Sequence, residues 1–233
     1  MKQVGDTYRY NWFEIKRIFR SDVVGIGGQA VVFARSPYAY KIFHKFAPKK
    51  YEEFKYLGSN KGTNFDREID MLEHLKRIKD PELKKSLPLG SMFNNCHDFI
   101  GILYPYHEGF DDGRKLLQEP YELLFENIKQ ILRLNMILSE RGICNQDLKF
   151  SNTMYKDNEV RLVDLDGCVI DRDYSRSLYF FYTELLIGLG KRINDPKLLE
   201  EIKKIICYDY YALNSDHNLP IKQIEFLEKE RIL

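Results

Sequence analysis

Asp147, Lys149, Asn152 and Asp164 stand at intervals that suit the handling of a phosphate and a divalent cation. They fall within Asn145–Gly167, NQDLKFSNTMYKDNEVRLVDLDG, where a loop leads into two short apolar pieces, Thr153–Tyr155 and Val160–Val163, separated by the polar turn Lys156–Glu159. That pattern predicts a loop feeding a two-stranded hairpin, with acid or amide oxygens at both ends. Magnesium takes hard oxygen ligands, keeps several waters, and is commonly shared between one or two carboxylates and the phosphates of a substrate. Phosphoryl transfer is the chemistry that asks for such a set. Taken singly, each of these residues also suits a solvated hairpin; the complete set in this order is what points to a site.

Other elements must deliver these groups. Leu124, Ile128, Ile131, Leu134 and Leu138 recur at helical spacing, so a helix is expected to start at Pro120, end at Arg141-Gly142 and run directly into the loop. Upstream, Val23–Phe43 reads as strand, glycine-rich turn and strand, then a third strand over Tyr38–Phe43 after Ser36-Pro37. Gly25, Gly27 and Gly28 let backbone amides approach phosphate oxygens without an intervening side chain. Lys41, on the third strand, is a point charge able to reach those phosphates. Phe65, Ile69, Leu72 and Leu75 mark a second helix, which carries Glu68 and is expected to end by Asp80-Pro81. Glu68 suits a partner for Lys41 or, equally, a member of a solvated charged face. A strand over Phe99–Leu103 leads to Tyr104-Pro105-Tyr106-His107, whose backbone reads as a hinge; Pro105 has no amide to donate.

Composition narrows the function classes. The chain has 233 residues, 44% apolar and 30% charged, with a formal net charge of +1. Such a balance gives no reason to expect a nucleic-acid partner. Four scattered cysteines without a CxxC pair, and an amino terminus without an apolar leader core, favour reduced thiols and a cytoplasmic protein. No apolar run approaches the length that spans a bilayer.

The combined motifs resemble those of eukaryotic-type protein kinases over roughly Val23 to Gly190. The resemblance implies an α+β, bilobal fold, with a small β-rich lobe over residues 1–104 and a hinge and mainly helical lobe over 105–233. ATP with magnesium, or manganese in its place, is then the cofactor, held in the cleft between lobes. Gly25, Gly27 and Gly28 would cover the nucleotide, Val32, Ala39 and Met154 would enclose the adenine, and Tyr106 would lie at the hinge. Lys41 would reach the phosphates and pair with Glu68. Asp147 would receive the substrate hydroxyl's proton, Lys149 would neutralise the transferring phosphate, and Asn152 with Asp164 would hold the metal. Asp-Leu-Lys at 147–149 looks more like Ser/Thr kinases, so the implied substrate is a protein. The alternatives are a small-molecule or lipid kinase of the same superfamily, and a catalytically silent binding module.

The chain also departs from that pattern. Asn145-Gln146-Asp147 replaces the usual His-Arg-Asp, removing the arginine that receives a phosphorylated activation loop. Leu165 and Asp166 replace the phenylalanine and glycine of the metal-binding motif. Asp173 already reads as the start of an apolar helix continuing over Leu178–Leu189, with terminal helices in Lys191–Leu233, so the second lobe is expected to be truncated and to lack an activation segment. Reduced kinases of this kind occur among viral proteins and among bacterial effectors delivered into host cells. A switch, if present, is expected to be an activating protein or ligand.

Overall fold

The computed structural model describes residues 2–4, 7–27, 29–54, 65–165 and 168–170. The protein is α+β, and the chain divides into two units, Met1–Gly109 and Phe110–Leu233; the division falls after Gly109 rather than after Tyr104.

The first unit is built on a seven-stranded sheet. In chain order its elements are β1 (Lys2–Val4), β2 (Thr7–Tyr10), α1 (Trp12–Ile18), β3 (Asp22–Ile26), β4 (Ala30–Arg35), β5 (Tyr38–Phe43), α2 (Phe65–Lys76), β6 (Gly90–Asn94) and β7 (Phe99–Pro105). The strand order is β1-β2-β6-β7-β5-β4-β3, with β2 and β6 parallel and the other pairs antiparallel. The glycine-rich hairpin and the third strand lie where β-branched residues flank turn formers. Sequence reading assigned no element to the chain before Val23, whereas β1, β2 and α1 occupy it. The second helix ends at Lys76, ahead of Asp80-Pro81. Asp80 instead accepts the amides of Glu82 and Leu83 at 2.9 and 3.2 Å, opening a short 3-10 turn.

Because side chains alternate across a strand, the sheet has two cores. On one face Val31, Phe33, Tyr40, Ile42 and Leu103 pack with Ile15 and Ile18 of α1. On the other, Ala30, Phe43, Ile102 and Tyr104 pack with Leu72 of α2. Gly101 allows β5 and β7 to approach: a Cβ there would overlap the Lys41 carbonyl oxygen and lie 3.0 Å from the Ile42 Cα. Gly101→Ala must therefore part the two strands, and is expected to lower stability by about 1–3 kcal/mol in chemical denaturation. An unchanged denaturation midpoint would refute that account.

The second unit carries β8 (Asp111–Asp112), α3 (Tyr121–Glu140), β9 (Ile143–Asn145), β10 (Thr153–Lys156), β11 (Glu159–Leu162) and β12 (Cys168–Ile170). Pro120 precedes α3, and Gly142, at φ 71°, takes the left-handed position that ends it. Leu124, Ile128, Ile131, Leu134 and Leu138 form its buried stripe. β10 pairs with β11 and β8, and β12 pairs with β9, setting Cys168 opposite Asn145. The helices expected over Asp173–Leu233 lie outside the described residues. No helix among the described residues is long and apolar enough to cross a membrane.

Candidate functional site

The residues expected to act fall into two sets, one in each unit. In the second unit α3 fixes the hairpin that follows the loop. Asn127 Nδ2 donates to the Asp157 carbonyl at 3.1 Å, Gln130 Nε2 donates to the Asn158 carbonyl, and the Val160 amide donates to Gln130 Oε1 at 3.2 Å. The hairpin turn is thereby pinned to the helix that delivers the loop. Register β10–β11 places Thr153 opposite Leu162, so the start of one strand meets the end of the other.

On this support three of the four candidate residues come together. Lys149 Nζ donates to both Asp147 carboxylate oxygens, at 2.9 and 2.8 Å. Asn152 Nδ2 donates to the Asp147 carbonyl at 2.9 Å and to Oδ2 at 2.8 Å. Both partners of that amide are acceptors, so its nitrogen must face them and its Oδ1 is turned away. Asn152 is buried, while the Lys149 and Asp147 side chains retain 37% and 50% of their exposure and remain open to a substrate. The Val163 amide donates to the Asn152 carbonyl at 2.9 Å, tying the loop to the residue before Asp164. Asp164 has φ 62°. A non-glycine residue in the left-handed region carries strain, which concentrates at sites of function. Leu165, immediately after it, is fully buried and anchors the turn, whereas Asp166 and Gly167 lie outside the described residues.

The donor set fits magnesium. Asn152 Oδ1 and the Asp164 carboxylate are hard oxygens, and a nucleotide's phosphates and water would supply the remaining positions. Among the described residues no three His, Cys, Asp or Glu side chains gather at metal-ligand spacing. A shared magnesium of this kind needs no such group.

Sequence reading missed the support under Asp147. Asn145, buried on β9, accepts the Asp147 amide through Oδ1 at 3.2 Å. An Asn two residues before the bonded amide is a recognisable local turn, so the signal for this support lies in the same Asn145-Gln146-Asp147 that departs from His-Arg-Asp. Gly113 was missed as well. A Cβ there would overlap Thr153 Oγ1 and the Phe150 carbonyl, the two atoms that bond each other at 2.8 Å beneath Asn152. Asp112 is engaged by Arg114: the guanidinium grips both oxygens at 2.9 and 2.6 Å. That hydrogen bonding holds its carboxyl below the usual range, with burial opposing. Asp111 pairs with Lys115. Both acids secure the 3-10 turn Gly113–Gln118 rather than standing ready for a ligand.

In the first unit, register brings the nucleotide candidates onto one sheet face. Gly25 lies opposite Val32, Val32 opposite Lys41, and Lys41 opposite Ile102, while Ala39 is opposite Tyr104 and two residues from Lys41. Lys41 is 9% exposed. The face it shares with Ile102 and Tyr104 is the one on which Leu72 of α2 packs. Glu68 falls one helical turn before Leu72, on the same side of α2 by spacing; its side chain lies outside the described residues. Met154 is half-buried on β10 in the second unit, opposite Arg161. The Tyr106 amide donates to the Pro37 carbonyl at 2.9 Å, so that donor is committed within the unit.

Gly28 lies outside the described residues, but the turn around it is closed by the Gly27 amide donating to the Ala30 carbonyl at 2.9 Å. His44, which sequence reading passed over, fastens this turn. Its Nε2 donates to the Gly27 carbonyl at 2.7 Å, and its amide donates to the Gln29 carbonyl at 3.0 Å. His44→Ala is expected to free the turn, accelerating exchange of the Gly27 amide about five-fold, as loss of one buried hydrogen bond implies. Unchanged exchange would show that the ring does not hold it.

A scan against protein-family models finds no match to this chain, and a search of curated proteins returns none.

Proposed function

We propose that this protein is an ATP- and magnesium-dependent kinase of bilobal, protein-kinase-like fold that transfers the γ-phosphate to a hydroxyl, with Ser/Thr of a protein as the substrate class. The observation that carries the reading is the Asp147–Lys149–Asn152 cluster, a partly exposed carboxylate held by one cation and one amide. Strained Asp164, one residue past the amide bonded to Asn152, completes the set.

In this reading Asp147 orients the acceptor hydroxyl and takes its proton as the bond to phosphorus forms. Lys149 already touches both Asp147 oxygens, so a small shift lets it meet charge on the transferring phosphate. Asn152 Oδ1 and the Asp164 carboxylate would hold magnesium, which when bound would supply positive charge beside the phosphate oxygens. The glycine turn, free of bulky side chains, would let the phosphates approach the backbone, and Lys41 would supply a positive charge. Catalysis then rests on positioning and charge stabilisation. The scattered cysteines Cys96, Cys144 and Cys168, one exposed and two buried, suit a reducing, cytoplasmic setting.

Incubation with labelled ATP and magnesium tests the proposal, with Asp147→Asn as control. Label on Ser or Thr of protein is the expected result. Label on a lipid or small molecule would keep the kinase and replace its substrate class. No transfer, together with no magnesium-dependent nucleotide binding, would overturn the reading.

A further inference from the structure

Helix α1 carries a surface that phosphoryl transfer does not use. Its inner side is committed to the sheet through Ile15 and Ile18, with Phe19 against Phe33 at 5.4 Å between ring centroids. At about 100° per residue, Trp12, Lys16, Arg20, Phe13 and Arg17 follow one another around an outer arc of roughly 140°. All five are exposed, Trp12 by 56% and Phe13 by 81%. The acid of this helix, Glu14, lies beyond that arc and closes a capping box with Asn11, accepting its amide at 2.9 Å while its own amide donates to Asn11 Oδ1 at 3.0 Å.

Beside the arc lies an open groove of about 670 Å³, lined by Arg17, Arg20 and Arg35 with Ser21, and with Asp22 and Glu108 also on its wall. Among the described residues none of Lys16, Arg17, Arg20 or Arg35 forms an ion pair. Two exposed aromatic rings and four cations thus meet at one edge of the unit, outnumbering Asp22 and Glu108 beside them, in a chain whose formal net charge is only +1. The positive charge is a local feature, not a property of the whole chain.

We propose that α1 docks this protein onto an anionic lipid surface. Tryptophan and phenylalanine settle at the level of lipid headgroups, and lysine and arginine beside them meet lipid phosphates and carboxylates at the same depth. A phosphate group alone would satisfy the arginines yet leave Phe13 in water; a bilayer interface accommodates both. Docking is shallow, because Ile15 and Ile18 are held by the sheet and cannot turn outward. It does not depend on the kinase reading.

The chain contains one tryptophan, so its emission reports on α1 alone. Full-length protein is mixed with phosphatidylcholine vesicles, with or without phosphatidylserine, and followed by co-sedimentation and by Trp12 fluorescence. Binding to the anionic vesicles only, with a blue shift and quenching by brominated lipid, is expected. Each cation near such a surface is worth about five-fold in partitioning, so Lys16→Glu/Arg17→Glu/Arg20→Glu should bind at least about a hundredfold more weakly. Phe13→Ser should weaken binding too without lowering thermal stability, because that side chain is exposed; the triple variant puts acids into the last turn of α1, so its binding is measured at a temperature where it remains folded. Equal binding to neutral vesicles, absence of binding, or binding with unshifted and unquenched Trp12 would overturn the proposal. So would full binding by the triple variant, or preference for a phosphoserine peptide over vesicles.

Discussion

Asp147→Asn is expected to cut phosphoryl transfer by about 10²–10⁴-fold, the usual contribution of a positioned proton acceptor, while ATP binding stays within a few fold. The local geometry explains the separation. Lys149 Nζ and Asn152 Nδ2 both lie 2.8 Å from Oδ2 of Asp147. An asparagine at 147 can keep its single oxygen in that position for Asn152 and Lys149, while Lys149 gives up its second bond, the one to Oδ1. Its nitrogen then replaces Oδ1, leaving no basic atom toward the acceptor hydroxyl. The loop should hold its shape and lose its chemistry. Steady-state rates paired with calorimetric ATP binding check this, and a fall in turnover below about tenfold would remove Asp147 from the proton-accepting role. Asp164→Asn provides the contrast: under the proposed function it would weaken a metal ligand, so the magnesium dependence should move along with the rate.

Much of what surrounds these residues was legible in the sequence because local signals and packing agree there. The helix α3 was readable from a 3.6-residue apolar stripe bounded by Pro120 and Gly142; the five expected residues are buried, and Asn127, Leu132, Asn135 and Ile137 are buried beside them. The β10–β11 hairpin was readable from two apolar pieces around a polar turn. The first strands were not. β1 and β2 are short, and β2 finds its partner in β6, more than seventy positions away along the chain. A pairing made at that distance leaves little trace in either segment alone. Strand β6 was likewise unassigned, since Gly90 and Ser91 are poor strand formers and are carried by their neighbours β2 and β7.

The same distinction runs through the site. Asp147, Lys149 and Asn152 announce themselves by type and spacing. His44 and Gly101 do not, because what they do is defined by a carbonyl elsewhere: Gly27 for His44, Lys41 for Gly101. Residues that act on a ligand tend to be legible from chemistry, whereas residues that position them are legible only once the neighbouring backbone is known. Asp111 and Asp112, loop acids held by Lys115 and Arg114, show that chemistry alone does not make a site.

Phe150→Ala is expected to give the largest loss of stability, about 3–5 kcal/mol, because it deletes a fully buried ring and leaves a cavity. Phe150 opens the 3-10 turn Phe150–Asn152, directly between Lys149 and the remaining members of the set. The Asn152 amide donates to the Lys149 carbonyl at 3.0 Å across that turn, and Thr153 Oγ1 donates to the Phe150 carbonyl at 2.8 Å. With the ring buried, those two bonds are held at one depth, and Asn152 is kept where its nitrogen meets Asp147. With the ring removed, the turn can sink into the space left behind and draw Asn152 away from the carboxylate. Stability is to be measured by chemical denaturation, and turnover at a temperature where the variant remains folded. Phe150→Leu, which keeps most of the apolar volume, should cost less than about 1.5 kcal/mol and retain most activity. A stability loss below about 1 kcal/mol for the alanine variant would show that Phe150 does not anchor the turn. A large loss of stability with unimpaired turnover of the folded fraction would show that the anchor serves the fold and not the placement of Asn152.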